Sequence, residues 1–487
     1  MTMDLGILSF GGYLPKARLQ RAEIARTHAW FNPALMALAK GERTMANWDE
    51  DSVTMAVEAG RDCLTGIDRG IVAGVYMAST SFPFQDRQNA GIVADALNLN
   101  TGIQTIDLSS SQRAGSSSLM VALQATRGNG PALVTASEKR RTKAASTLEL
   151  TTGDGAAALL VGEGEVVARL LGGHTESVDF VDHYRGQGES YDYTWEERWI
   201  RDEGYMKIVP AAVGTLLKKV GVQATDITTF CFPTALRRVA GGLATRLGLA
   251  DDVVADNLQD RCGETGTAHP LVLLVNALET ARPGERILVA GFGQGCDALL
   301  FEVTDAIDQV AGRIGISGHL ARGREESRYS RFMAFNDLIS MERGIRAEVD
   351  KQTGLSTLYR NKEMTQELMG GHCTACGTKQ FPKSRICVNP ECGKNGTQED
   401  EPFADKPAQL NSFTADRLIY SPDPPMYFGM VQFEGGGRLM SDFTDIDPDG
   451  RLEVGMPMKM VFRVKDYDTQ RGFRRYFWKA TPTDGDH

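Results

Sequence analysis

Long apolar runs are missing from this chain of 487 residues. No stretch of about 18 apolar residues occurs, the length a helix needs to cross a bilayer. The opening MTMDLGILSFGGYLPKARL also lacks the charged-then-apolar order of an export signal. The chain is therefore expected to be cytoplasmic, with no membrane partner. Positive charge is scarce too: 53 Lys and Arg stand against 63 Asp and Glu, a net charge of −10. That balance argues against a general affinity for nucleic acid or anionic lipid. Cysteine is thinly spread outside one cluster. Cys63, Cys231, Cys262 and Cys296 are scattered, which suits reduced thiols rather than a disulfide framework.

What is present, 42% hydrophobic and 24% charged residues, is the composition of a globular protein with two to four domains. Up to about residue 305, glycine-flanked apolar runs such as IVAGVYMAST and RILVAGFGQG alternate with helical stretches such as DEDSVTMAVEAGRDCL and YMKIVPAAVGTLLKKVG. This alternation predicts a layered α/β domain over 1–305. Two parts echo each other: AVEAGRDCLTGIDRGIVAGVYMAST and AVGTLLKKVGVQATDITTFCFPTAL each read as amphipathic helix, polar turn and buried strand. Packed face to face, two such halves would bring their strand tips to one cleft. From 306 the text becomes charged and helical without a wide apolar stripe, predicting a helical linker over 306–368. Short strands broken by Pro, Gly and Asp over 399–487 predict a small β-barrel.

Between them, HCTACGTKQFPKSRICVNPEC places Cys373 and Cys376 two residues apart and adds Cys387 and Cys392 on a second knuckle. Four thiolates enclose a tetrahedral Zn²⁺ with no open position, so the metal's role is structural, with iron as the rival. The segment 369–398 is too small for a core of its own, and metal binding supplies its folding energy.

Another stretch, DLSSSQRAGSSSLMVAL, runs from a strand into a helix. Free backbone N–H groups and the helix dipole make such a junction a seat for a nucleophile or an anion. Gln112 occupies that seat, and a glutamine cannot attack a thioester.

GERTMANWDEDSVTMAVEA, MASTSFPF, SSSQRAGSSS, TTGDGAAALLVG, FCFPTALRR, CGETGTAHPLVLL and GFGQGCDALLFEV occur in the order seen in the thiolase superfamily. They most resemble the microbial hydroxymethylglutaryl-CoA synthases, with the ketoacyl synthases that initiate fatty-acid synthesis as cousins. The resemblance implies a duplicated five-layer αβαβα fold, a homodimer and a CoA-thioester substrate. Residues from about 322 onward resemble acyl-CoA-associated proteins with N-terminal helices, a rubredoxin-like zinc ribbon and an OB-fold. Here the two would be fused in one chain.

In the resembling synthases the position of Gln112 is an acyl-accepting cysteine. A catalytic glutamate falls on Thr80, the histidine on Cys231, and the oxyanion-hole asparagine on Glu264. All four are changed. The replacements are chemically capable: Glu264 can exchange a proton if burial raises its pKa, and Cys231 is a possible substitute nucleophile. His269, at the head of HPLVLLVNALE with Pro270 in its first turn, can serve as a base. Ketosynthase-like proteins with glutamine at the nucleophile position stabilise an enolate without acylation, which implies an amide donating to a thioester oxygen here.

Three functions follow as expectations. The first is a CoA-thioester enzyme that makes or cleaves a C–C bond, of retro-aldol or retro-Claisen type, on a β-hydroxyacyl- or β-ketoacyl-CoA without a cysteine acyl-enzyme. The second is a hydroxymethylglutaryl-CoA synthase-like acyltransferase using another nucleophile. The third is a non-catalytic acyl-CoA-binding scaffold. Phe82, Phe84, Trp195 and Trp199 hint at a bulky or aromatic acyl group.

Overall fold

The computed structural model describes residues 4–310, 312–447 and 450–483. The chain divides into two compact units. The first comprises Met1–Ala46, Asp51–Ala94 and Leu99–Leu338; the second comprises Asn47–Glu50, Asp95–Asn98 and Ile339–His487.

The first unit is built on nine strands: β1 Asp4–Tyr13, β2 Gly74–Ala78, β3 Gln104–Leu108, β4 Ala132–Glu138, β5 Gly155–Gly164, β6 Ala168–Ser177, β7 Thr229–Cys231, β8 Arg286–Phe292 and β9 Gly295–Val303. They form one hydrogen-bonded sheet in the order β7-β8-β9-β6-β1-β5-β4-β2-β3. Its two halves meet at β1 and β6, which share only the pairs Gly6 with Arg169 and Ile7 with Ala168. So short a seam lets the halves diverge into separate layers. Strand β2 runs parallel to β3 and β4, and β7 parallel to β8.

Five helices complete the layers: α1 Ser52–Cys63, α2 Ala114–Ala125, α3 Met206–Val220, α4 Val239–Leu247 and α5 His269–Leu278. Helix α1 packs outside one half, on β1, β4 and β5, and α3 outside the other, on β6 and β9 with α4 beside it. Helices α2 and α5 contact strands of both halves and form the central layer. This is the duplicated αβαβα arrangement, and the echoing segments supply its two outer helices and the strands that follow them. Local chemistry sets the ends. The Asp51 carboxylate accepts from the backbone N–H of Val53 and Thr54, both at 3.0 Å, while the Thr54 hydroxyl accepts from Asp51 N. This reciprocal cap fixes the start of α1.

Two features differ from the sequence reading. Residues 306–338, read as the start of a linker, lie in the first unit: Tyr329 and Phe332 are buried with Leu19, Ile24, Met45 and Leu150. Between β6 and α3 lies a segment that no periodicity announced, containing the hairpin of His183–Tyr184 with Tyr193–Thr194.

In the second unit, Met369–Cys373 pairs with Lys379–Gln380 and Gln398–Pro402 as a three-stranded ribbon. Five antiparallel strands follow, in the order Arg438–Asp442, Met426–Phe433, Ala408–Asp416, Pro457–Asp468, Phe473–Pro482. A bridge between Phe443 and Ala480 draws the two edges together, which closes a barrel. The locally basic RRYFWK lies on the last strand, and two of its aromatics point inward: Tyr476 stacks on Phe462 at 5.4 Å, and Trp478 meets the same ring edge-on.

Candidate active site

The parallel strands β2, β3 and β4 end on one side of the sheet, where an open α/β sheet places its ligand crevice. Just past these ends stand Thr80, Gln112 and Arg140. The loop carrying Gln112 leaves β3 through Ser110 in the left-handed region, at φ 74°. It then lies on Gly293, beyond β8, whose carbonyl accepts from the Ser111 hydroxyl at 2.9 Å. A Cβ on residue 293 would stand 2.9 Å from the backbone nitrogen of Arg113 and 2.6 Å from Ser111 Oγ, so glycine is required for this approach.

The side-chain oxygen of Gln112 accepts from both terminal nitrogens of Arg140, at 3.1 Å from Nη2, and lies 3.2 Å from Nε2 of His183. Arg140 is fixed by a buried ion pair with Asp192 at 2.5 Å. Arg185 holds the other Asp192 oxygen at 3.2 Å and donates to the carbonyl of Thr80. The Thr80 hydroxyl is committed to Glu138 Oε2 at 2.9 Å. A charged, hydrogen-bonded chain therefore runs from Thr80 to Gln112.

His183 is half-buried and bonded on both sides: Nδ1 lies 3.0 Å from Asp182 Oδ2 and Nε2 faces Gln112. The Asp182 carboxylate is buried, and its Oδ1 has no hydrogen-bond donor among the described residues. Glu264 completes the group. Gly263 before it, at φ 78°, presses against the backbone of Gly153 and Thr151, and the Glu264 peptide bonds to the same segment at 2.8 and 2.9 Å. Burial pushes the Glu264 carboxyl above its ordinary pKa and Asp182 adds to that push, while Arg140 and His183 pull the other way. Tyr205, partly buried and within electrostatic reach of Glu264 and Asp182, is pushed up by desolvation and keeps its proton.

Two expected participants are elsewhere. His269 is fully buried; Nδ1 accepts from the Thr265 N–H at 3.0 Å, and Nε2 bonds the Asn257 carbonyl at 3.0 Å. Burial lowers its pKa to about 4. Both ring nitrogens are thus spent on backbone, with none aimed at Gln112 or Glu264. Cys231 is likewise fully buried, packed in the apolar core, and burial raises its thiol to about 12. A thiol so disposed yields almost no thiolate near neutral pH.

The sequence reading missed His183, Asp182, Arg140, Asp192 and Arg185. One weak signal was available: of the 7 histidines, only His183 and the terminal His487 are directly preceded by an aspartate. Beside this group lies a cavity of about 350 Å³ that His183 and Asp182 line together with Trp195 and Trp199. Phe82 and Phe84 are not among its walls.

The four cysteines converge as their spacing required. Cys373, Cys376, Cys387 and Cys392 offer sulfurs all within 4.8 Å of one another. Cys376 and Cys387 stand 3.5 Å apart, Cys373 and Cys392 3.9 Å. Thiolates about 2.3 Å from a tetrahedral zinc lie about 3.8 Å apart, so the set fits zinc without rearrangement. The other four cysteines are buried and free.

Comparison with known proteins bears on both units. Residues 217–302 match the C-terminal family of 3-oxoacyl-[acyl-carrier-protein] synthase III, 360–395 the ChsH2 rubredoxin-like zinc ribbon domain, and 404–463 the ChsH2 C-terminal OB-fold domain. The hydroxymethylglutaryl-CoA synthase of Aeropyrum pernix is 31% identical over 312 residues, covering 62% of this chain and 86% of that protein. The synthase of Caldivirga maquilingensis is 28% identical over 354 residues, 70% of this chain and all of that protein. Among solved structures, MvaS in complex with 3-hydroxy-3-methylglutaryl coenzyme A shares the fold with a TM-score of 0.60 at 20% identity, covering 68% of this chain and 92% of that one. The 3-oxoacyl-[acyl-carrier-protein] synthase III of Aquifex aeolicus does so with a TM-score of 0.54 at 19% identity, covering 61% and 99%.

Proposed function

We propose that this chain, which belongs to the hydroxymethylglutaryl-CoA synthase family, makes or cleaves a C–C bond next to a CoA thioester without forming an acyl-enzyme. The observation that carries the reading is the contact of Gln112, at the position of the family's acyl-accepting cysteine, with Arg140 and the Asp182–His183 pair. Its oxygen is held by Arg140, which leaves the amide NH2 as the end that donates. A donor aimed at an oxygen that gains charge stabilises a transition state by about 3 kcal/mol.

The direction we favour is retro-aldol cleavage of a β-hydroxyacyl-CoA. His183, oriented by Asp182 at Nδ1, gives up its contact with the Gln112 oxygen when substrate enters and takes the proton of the β-hydroxyl on Nε2. The Cα–Cβ bond then breaks: the former alcohol leaves as an aldehyde or ketone, and the bonding electrons pass to the thioester as an enolate held by the Gln112 amide. Glu264, its carboxyl pushed up by burial, returns a proton to Cα and releases the shortened acyl-CoA. Thr80 acts on this chemistry indirectly, through Arg185 and Asp192. Retro-Claisen cleavage of a β-ketoacyl-CoA, with free CoA as attacking thiol, uses the same enolate donor. Zinc stays structural in the second unit, and a homodimer through the first unit belongs to the same proposal. Among the described residues no helix is long and apolar enough to cross a membrane.

The test is mass spectrometry of the intact protein during turnover of β-hydroxyacyl-CoA esters. Aldehyde and acyl-CoA should be released with no acyl adduct on the chain; a stable adduct on any cysteine refutes the reading. Cys231→Ala gives a second check. It should leave turnover within about twofold while costing about 1 kcal/mol of stability, the usual size for trimming a small core side chain. An inactive but folded Cys231→Ala protein would instead favour acyl transfer through that thiol.

A further inference from the structure

We propose that the cavity beside His183 receives the acyl part of the thioester, and that this acyl group is an uncharged, flat, aromatic ring system. The inference rests on the reading above that the substrate is a CoA thioester. Its size is the first argument: about 350 Å³ is within the range of small-molecule sites, about 300 to 1,000 Å³, and far exceeds what an acetyl group would fill. Position is the second. His183 is both a wall of the cavity and a neighbour of Gln112, at 3.2 Å, so a group seated there has its attachment point at the reacting atoms.

Wall chemistry selects the class. Tyr184, Tyr193, Trp195 and Trp199 are 56%, 55%, 54% and 46% exposed, an unusual density of open aromatic surface. These rings are held in place. Phe180 stacks on Trp199 at 5.6 Å, Tyr184 and Tyr193 face each other across the hairpin at 5.5 Å, and the backbone N–H of Trp195 donates to the Asp182 carbonyl at 2.9 Å. Pre-positioned ring faces bind flat π-systems through offset or edge contacts with little ordering cost. The polar part of the lining is Asp179, Asp182 and His183, with no lysine or arginine. Two carboxylates without a cation disfavour an acyl group that ends in a carboxylate, such as a glutaryl chain.

Calorimetric titration of the full chain with CoA, acetyl-CoA, glutaryl-CoA and 2-naphthylacetyl-CoA tests this without requiring turnover. We expect the naphthylacetyl ester to bind at least about tenfold more tightly than the acetyl and glutaryl esters, as a buried ring warrants. In Trp195→Ala/Trp199→Ala that ratio should fall to about one; Tyr193→Ala, should the double variant not fold, should lower it in the same direction. Equal affinity for the acetyl and naphthylacetyl esters, or a preference that survives these substitutions, overturns the proposal. So does a variant that changes from dimer to monomer in sedimentation with its ligand preference intact, since the rings would then cover a second copy. Binding of CoA and acetyl-CoA with no gain from the ring sinks the cavity assignment alone, whereas failure of every CoA ester to bind sinks the thioester reading beneath it.

Discussion

Replacing His183 by alanine is expected to lower kcat for cleavage of a β-hydroxyacyl-CoA by about 10³-fold, within the usual range for loss of a general base. The expectation comes from the Asp182–His183–Gln112 alignment, in which one ring nitrogen is fixed at 3.0 Å by a carboxylate and the other lies 3.2 Å from the side-chain oxygen of Gln112. Gln112→Ala should cost about 10²-fold, since it removes the enolate donor and leaves the base. The double variant should lose less than the product of the two, because proton removal and enolate stabilisation belong to one transition state. Asp182→Asn provides the positioning control. It should shift the pH profile of kcat more than it changes KM, because it alters the ring's hydrogen bonding and not the substrate's contacts. His183 is half-buried, so thermal unfolding of the alanine variant should change little. Activity within threefold of the parent in a folded His183→Ala protein would remove the base from the scheme.

What the sequence disclosed depended on how local the information was. The capped helix α1, the apolar run of α5 and the four cysteines are written in short windows, and each formed as read. Gln112 was visible because it interrupts a recognisable strand-to-helix junction. Its partners were not visible, because Arg140 follows β4 while His183 and Asp192, which holds Arg140, come from the hairpin segment between β6 and α3, and nothing in a period of 2 or 3.6 marks such residues for a site. His269 shows the opposite hazard. A histidine heading an apolar helix looks poised for chemistry, yet the same apolar surroundings that make the helix bury the ring and spend both nitrogens on Thr265 and Asn257. Cys231 is a similar case: a strand tip in sequence, it is core in three dimensions because β7 pairs with β8 and lies beneath α5.

Extraction of zinc should have the largest effect on stability. Structural zinc contributes about 10 to 16 kcal/mol of apparent binding free energy in small ribbons and fingers, comparable to the whole stability of a domain, about 5 to 15 kcal/mol. Segment 369–398 cannot replace that with apolar burial, since its fully enclosed apolar groups are few beyond Phe381, Cys373 and Cys387. Phe381 leans on Phe403 at 5.6 Å, and Phe403 on Phe433 at 4.8 Å, so the loosened ribbon withdraws a wall from the neighbouring barrel strand. After chelation, or in Cys387→Ser, metal analysis should fall from one zinc per chain toward none. Amide exchange should then accelerate across the ribbon and along Met426–Phe433, while the nine-stranded sheet, with its own apolar clusters, keeps its protection. Unchanged exchange in the ribbon of a demonstrably zinc-free protein would mean that the four thiols are not its structural centre.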